Sequence, residues 1–253
     1  MYHHVGLSQT NSKHALFIST ERFAAQIRFL ARRGYVGIRP SDWLSWIRYG
    51  TLLPKRPILI TFDDAFEDLH DQAFPVLASH GFSAAVFVVT NCIGKANIWD
   101  QPPQGYARHQ CLTAEQIRHW SRKGIEFGAH SRNHPDLTTL AEAELLDEVA
   151  GSRSDLENVV GLPVISFAYP YGSYNSTVAD CVGHHFDLGF ATEGGLNTSR
   201  TDRRMLRRDM VFASDTLIDL EWLVRSGWAP IRHLRRRLRR SRFQKMLRYV
   251  SQN

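Results

Sequence analysis

Asp63 and Asp64 end the apolar run in ITFDDAFED and are followed at once by helix-forming residues. Adjacent carboxylates repel and are poorly solvated inside a fold, so such a pair at a strand end implies a bound cation or the capping of the next helix. Further on, GAHSRNHPDL sets His130 and His134 just beyond another apolar run. With 12 histidines in 253 residues, roughly half of one H-x3-H pair arises by chance, so that spacing alone is weak evidence. Pro135 disfavours a continuous helix through His134 and suggests a loop carrying two imidazoles inward. Two neutral imidazoles and one carboxylate make a three-ligand set with open positions, as a hydrolytic metal requires. In SFAYPYGSYN (166–175) an apolar strand runs into Pro170 and Gly172, where turn chemistry is the alternative account and the aromatics could be core. MYHHVG, at the start, presents His3 and His4 before any helix, at a place where chain ends are often disordered.

Residues this far apart need a scaffold that gathers them on one face. Apolar, β-branched runs occur near residue 36, up to Phe62, and over 84–89, 124–129, 164–170, 187–192 and 205–211. Between them lie helical patterns at 21–34, 66–81, 113–124 and 141–161, with Pro75 expected to kink the second or mark its true first turn. Thr113 and Gln116 have the spacing of a capping box. Alternation of this kind predicts an α/β fold, a parallel sheet covered by helices, either open or closed into a barrel. Functional residues then collect at the carboxyl ends of the strands. The segment 92–111, rich in Gly, Pro and polar residues, reads as a long loop beside that face.

Composition narrows the class. The chain is 43% hydrophobic and 22% charged, as ordinary globular proteins are, and no apolar run approaches the ~18 residues of a membrane helix. Cys92, Cys111 and Cys181 form no CxxC pair, so neither a disulfide framework nor a thiolate zinc site is expected. No leader-like segment precedes Met1, and the expectation is a cytoplasmic protein, peripheral to a membrane through its tail, or exported if the true start lies upstream. The net charge of +6 is uneven. Nine of the 31 basic residues follow Ser226 with no acidic one among them, which leaves 22 against 25 acidic residues in the body. That tail, 226–253, has the spacing of a basic amphipathic helix suited to an anionic membrane surface, or else to docking on the acidic body. Nucleic acid is not an expected partner, because no reading motif accompanies the charge.

TFDD, H-S-x-x-H and FAYPYG, in that order and at these separations, closely resemble the polysaccharide deacetylase family, carbohydrate esterase family 4, over roughly residues 1–225. Each motif alone is modest; the three in register are specific. The resemblance implies a distorted (β/α)7-type barrel with a mononuclear divalent metal, zinc first, with cobalt, nickel or iron as alternatives. It also implies removal of N-acetyl groups from N-acetylhexosamine units of a glycan. It makes Asp64, His130 and His134 the metal ligands, Asp63 the base that takes a proton from the attacking water, and the backbone N–H of Tyr171 the oxyanion donor. Many members carry an arginine where this chain has Ala168; a subset of exopolysaccharide deacetylases resembles a circular permutation that draws it from a later strand. Arg208 is the candidate for that role, with adjacent Arg207 as a nearly equal alternative. In that subset a Y-H-x-V stretch at the front supplies the general acid, which implies His3, with His4 merely adjacent. Trp99 and Tyr169 are the candidate sugar contacts, ordinary packing being the alternative for each. Two other functions remain open at this stage: an O-acetyl carbohydrate esterase, and a non-catalytic carbohydrate-binding or membrane-associated protein on the same fold.

Overall fold

The structure, a computed structural model, describes residues 1–6, 16–100 and 108–229. Its strands are β1 (His4–Val5), β2 (Phe17–Ile18), β3 (Val36–Gly37), β4 (Pro57–Ile58), β5 (Thr61–Phe62), β6 (Ala84–Val88), β7 (Ile125–Ala129), β8 (Ser166–Ala168) and β9 (Leu188–Phe190). The last five form a parallel sheet in the order β5-β6-β7-β8-β9. The strands are read as unbroken apolar runs because both faces are covered. Ala85, Phe87, Ala168, Leu188 and Phe190 pack together on one face, and Val86, Val88, Phe127, Ala129 and Phe167 join the larger core on the other.

The helices α1 (Thr20–Arg32), α2 (Pro40–Tyr49), α3 (Asp68–Gln72), α4 (Phe74–Ser79), α5 (Ala114–Ser121), α6 (Glu142–Leu146), α7 (Ser152–Val160), α8 (Ser176–His185) and α9 (Leu217–Ser226) intervene. The capping box at Thr113 and Gln116 is present. The single helix expected over 66–81 is two, since Pro75 occupies the first turn of α4 and cannot continue an earlier helix. The pattern over 141–161 runs from α6 to α7 through a π-turn, Asp147–Gly151.

The run 205–211 differs from expectation. It is no regular strand: only Leu206 bridges β9, at Phe190, and its remaining backbone groups go to scattered partners, the Arg208 N–H to Glu193 O and the Val211 N–H to Met1 O. The amino terminus completes the curve. The Met1 ammonium donates to Asp209 O, while the Tyr2 N–H donates to Thr61 O and the Asp63 N–H to Tyr2 O. MYHH is therefore a seam between the two ends of the sheet, with Met1 and Tyr2 buried, and not a frayed end. The basic tail lies, from residue 230 on, outside the described residues. The expected domain boundary at 225 cuts α9, whose helix runs to Ser226 and is followed by buried Ala229.

Candidate active site and metal centre

The carboxyl ends of β5, β7 and β8 meet at one pocket of ≈ 310 Å³, bordered among others by His3, Asp63, Asp64, Trp99, His130, His134 and Tyr171. Among the described residues the non-glycine positions with left-handed backbone are Asp64, Ala65, Ser131, His134 and Tyr171. Each such residue costs on the order of 1–2 kcal/mol. All of them fall at these strand ends, so backbone strain is concentrated where side chains must be turned toward the pocket.

Asp64 Oδ1 lies 3.6 Å from His130 Nε2 and 3.4 Å from His134 Nε2. The donor atoms of the three buried residues all fall within 4.8 Å of one another. His130 Nδ1 donates to Ala168 O at 2.7 Å, which leaves Nε2 as a bare lone pair directed at Asp64. Asp64 Oδ1 itself is buried without a hydrogen-bond partner. Burial, and then the neighbouring Asp63, push the Asp64 carboxyl well above its ordinary range, while burial pushes both imidazoles down. Protein groups alone thus leave a buried Asp64 oxygen without a hydrogen-bond partner and facing the His130 lone pair, an arrangement that a cation resolves and that the donor set of one oxygen and two nitrogens fits.

Asp63, one residue earlier, faces elsewhere. Arg208 Nη1 donates to Asp63 Oδ1 at 2.5 Å and Nη2 to Oδ2 at 2.9 Å, a bidentate pair with both side chains buried. Burial alone would raise the Asp63 carboxyl, but Arg208, then His130 and His3, outweigh it and hold the group below the usual carboxylate range. The guanidinium also donates from Nε to Ala191 O at 2.9 Å and lies over the rings of Phe87 and Phe190. Arg207 is exposed and takes no part. Neither aspartate caps a helix: α3 begins at Asp68, with Glu67 as its cap.

His3, just before β1, and His4, its first residue, both border the pocket but have different partners. His3 is half-buried and belongs to the Asp63 neighbourhood; burial lowers it to about 4, with Asp63 pulling it up and Arg208 pushing it down. His4 is more than a neighbour. Its Nδ1 sits 2.6 Å from Asp68 Oδ2, and its ring is stacked between Phe17 and Phe66 with centroids 4.0 and 3.7 Å away. Asp68 as its partner had no signal in the sequence.

Trp99 stacks on His134 at 4.5 Å, and Tyr171 meets the same imidazole edge-on at 4.5 Å while its side chain remains 60% exposed. Tyr169 departs from its expected role as a sugar contact. It borders the pocket but is almost wholly buried, and its hydroxyl donates to Arg204 O at 2.6 Å, away from the opening. A second cavity of ≈ 290 Å³, under the amino-terminal seam, is lined mainly by apolar residues such as Leu30, Ile58, Leu206 and Leu223 and holds none of the histidines.

The fold is an α/β half-barrel with a parallel sheet and an acid–imidazole cluster at the carboxyl ends of its strands, the class of architecture to which the deacetylase barrels below belong. The chain belongs to the polysaccharide deacetylase family, whose sequence profile matches residues 52–185. It is 26% identical over 196 residues to the YxkH protein of Bacillus subtilis strain 168, covering 77% of this chain and 64% of that one. A poly-beta-1,6-N-acetyl-D-glucosamine N-deacetylase of Staphylococcus aureus is 23% identical over 167 residues, covering 62% of this chain and 54% of its own. This chain thus spans less than two thirds of these curated relatives. The fold matches the Streptococcus pyogenes deacetylase PplD with a TM-score of 0.76 at 23% identity, over 87% of this chain and 94% of that one. It also matches IcaB from Ammonifex degensii, at 0.68 and 22%, over 83% and 91%. His3 and Arg208 lie outside the residues matched by the family profile.

Proposed function

We propose that this chain is a metal-dependent hydrolase that removes N-acetyl groups from N-acetylhexosamine units of a polysaccharide, oligosaccharide or lipid-linked glycan. The observation that carries the reading is the orphaned, buried Asp64 Oδ1 set between the Nε2 atoms of His130 and His134, next to a second carboxylate that Arg208 keeps ionised. The Staphylococcus aureus relative, named for N-deacetylation of a glucosamine polymer, supports the amide as substrate. Asp64, His130 and His134 would hold the ion. A divalent ion there would supply Lewis acidity, polarising the acetyl carbonyl and acidifying the attacking water enough for so weak a base as Asp63 to accept its proton. Arg208 orients that carboxylate by its two bonds. The Tyr171 N–H donates to the developing oxyanion. His3 protonates the departing amine. At about 4 it is neutral at pH 7, so the proton it delivers is received during turnover by way of Asp63. Trp99 offers an aromatic face to a sugar ring.

The test is acetate release from N-acetylglucosamine oligomers and from O-acetylated xylan, with protein stripped by chelator and then reloaded with zinc. Release from the amides that vanishes on stripping and returns on reloading is expected. Release from the esters alone would favour the O-acetyl esterase, and none from a zinc-loaded chain would favour the non-catalytic reading.

A further inference from the structure

The loop carrying His130 and His134 is held from behind by a buried carboxylate that takes no part in the chemistry above. Glu148 projects from the π-turn Asp147–Gly151. Its Oε2 accepts the backbone N–H of Arg132 at 2.8 Å and of Asn133 at 2.9 Å, and its Oε1 accepts Asn133 Nδ2 at 2.6 Å. Asn133 Oδ1 in turn accepts Asn91 Nδ2 at 2.9 Å. Arg132 grips the same helix: Nε and Nη2 donate to the two oxygens of Asp155 at 2.8 and 3.0 Å, and Nη1 donates to Asp147 at 2.6 Å. Its guanidinium lies against Gly151, where a Cβ would overlap it. On the other side, the Thr90 and Asn91 N–H groups donate to Ser131 O and Arg132 O.

Ser131 and His134 are left-handed, at φ 63° and 60°, and such backbone persists only where its surroundings over-determine it. Successive peptide N–H groups that converge on one oxygen form an anion-binding concavity, and here the anion is the protein's own. The π-turn, a feature frequent at functional sites, brings that anion to the back of the loop.

We infer that Glu148 is the positioning residue of the metal loop: by binding the Arg132 and Asn133 peptide N–H groups it locks the turn that aims His130 and His134, and so sets cation affinity. This rests on the reading of Asp64, His130 and His134 as a cation site. Glu148→Gln replaces one acceptor with an NH2 group that must face either the peptide N–H pair or Asn133 Nδ2, donor against donor. Adding Asn133→Asp reverses the polarity of that last bond and restores total charge.

Zinc affinity is measured by chelator competition on the full chain, with folding followed by circular dichroism and the visible spectrum of the cobalt-loaded form recorded beside it. Outer-shell changes cost about 10- to 100-fold in metal affinity, so Glu148→Gln should weaken zinc at least about tenfold and shift the cobalt bands. Glu148→Gln/Asn133→Asp should recover to within about threefold of wild type. A merely structural role would not be rescued in this way. Unchanged affinity in Glu148→Gln, or a folded double variant no tighter than the single, overturns the inference. If Glu148→Gln does not fold, Asn133→Ala, which removes one of the three bonds, should still cost several-fold, and unchanged affinity there overturns it equally. A wild-type chain that binds no zinc removes the cation site itself, whereas a tight wild type with an indifferent Glu148→Gln removes only this role.

Discussion

Replacing Arg208 with methionine is the most direct test of how Asp63, the proposed base, is held. The substitution keeps most of the apolar stem between Phe87 and Phe190 but deletes both bonds to Asp63 and the donor to Ala191 O. Asp63 is 3% exposed, so its carboxylate is left buried and unpaired, a condition that costs about 3–5 kcal/mol when one partner of a buried pair is removed. With Arg208 gone, burial dominates and the carboxyl moves upward from its present position below the ordinary range. At about 1.4 kcal/mol per pH unit, a cost of that size moves the carboxyl up by about two to four units, enough to bring the acidic limb of acetate release into the measurable range. Urea unfolding at pH 7.5 reads the first effect and a pH–rate profile from 4 to 9 the second. Arg208→Lys should fall between, since an ammonium cannot span both carboxylate oxygens. Arg207→Ala, at an exposed side chain, should stay within about 0.5 kcal/mol of wild type. An Arg208→Met protein with an unchanged midpoint and an unmoved limb would refute the reasoning, as would an Arg207→Ala protein that reproduced both losses.

His3→Ala should lower acetate release about 10²- to 10⁴-fold, the usual worth of a positioned acid, with zinc content by elemental analysis unchanged; undiminished turnover would discard the assignment. The chelated protein should lose stability as pH falls from 7.5 to 5. Burial places His3 at about 4, and His130 and His134 also below their usual 6.5, so the unfolded chain binds more protons across this window. Their contribution is complete above 6.5 and is lost as pH falls toward and through the folded values. Asp64, raised in the fold, acts in the opposite sense but is one group against three. For His3 alone the shift from 6.5 to about 4 corresponds to at most about 3 kcal/mol, discounted for partial solvent access. A urea midpoint that is flat between pH 7.5 and 5 would contradict this.

Much of the site was legible because its signals are local. Apolar runs ending in acids or histidines mark strand ends without any tertiary information, and Pro135 and Pro75 each restrict the backbone beside them. Over the run 205–211 the same locality misleads. Its composition is strand-like, but its backbone is divided among Phe190, Glu193 and Met1, which no local pattern reveals. Tyr169 sits in a motif that suggests the pocket, yet the direction of its hydroxyl depends on Arg204, 35 residues away. Glu148 looked like any acidic residue in a helix.

The sequence by itself determined the kinds of groups available and their order: two adjacent acids, an imidazole pair, a Pro-Tyr-Gly turn, and the strand–helix alternation that carries them, since residue type and backbone preference are local properties. Tertiary structure alone decided which of two neighbouring arginines meets Asp63, which of two neighbouring histidines meets Asp68, and which helical acid accepts the loop N–H groups of Arg132 and Asn133. Successive residues on an extended chain point to opposite faces, so a choice between neighbours depends on which face is turned inward. That is settled by packing between segments as distant as Asp63 and Arg208, which lie 145 positions apart.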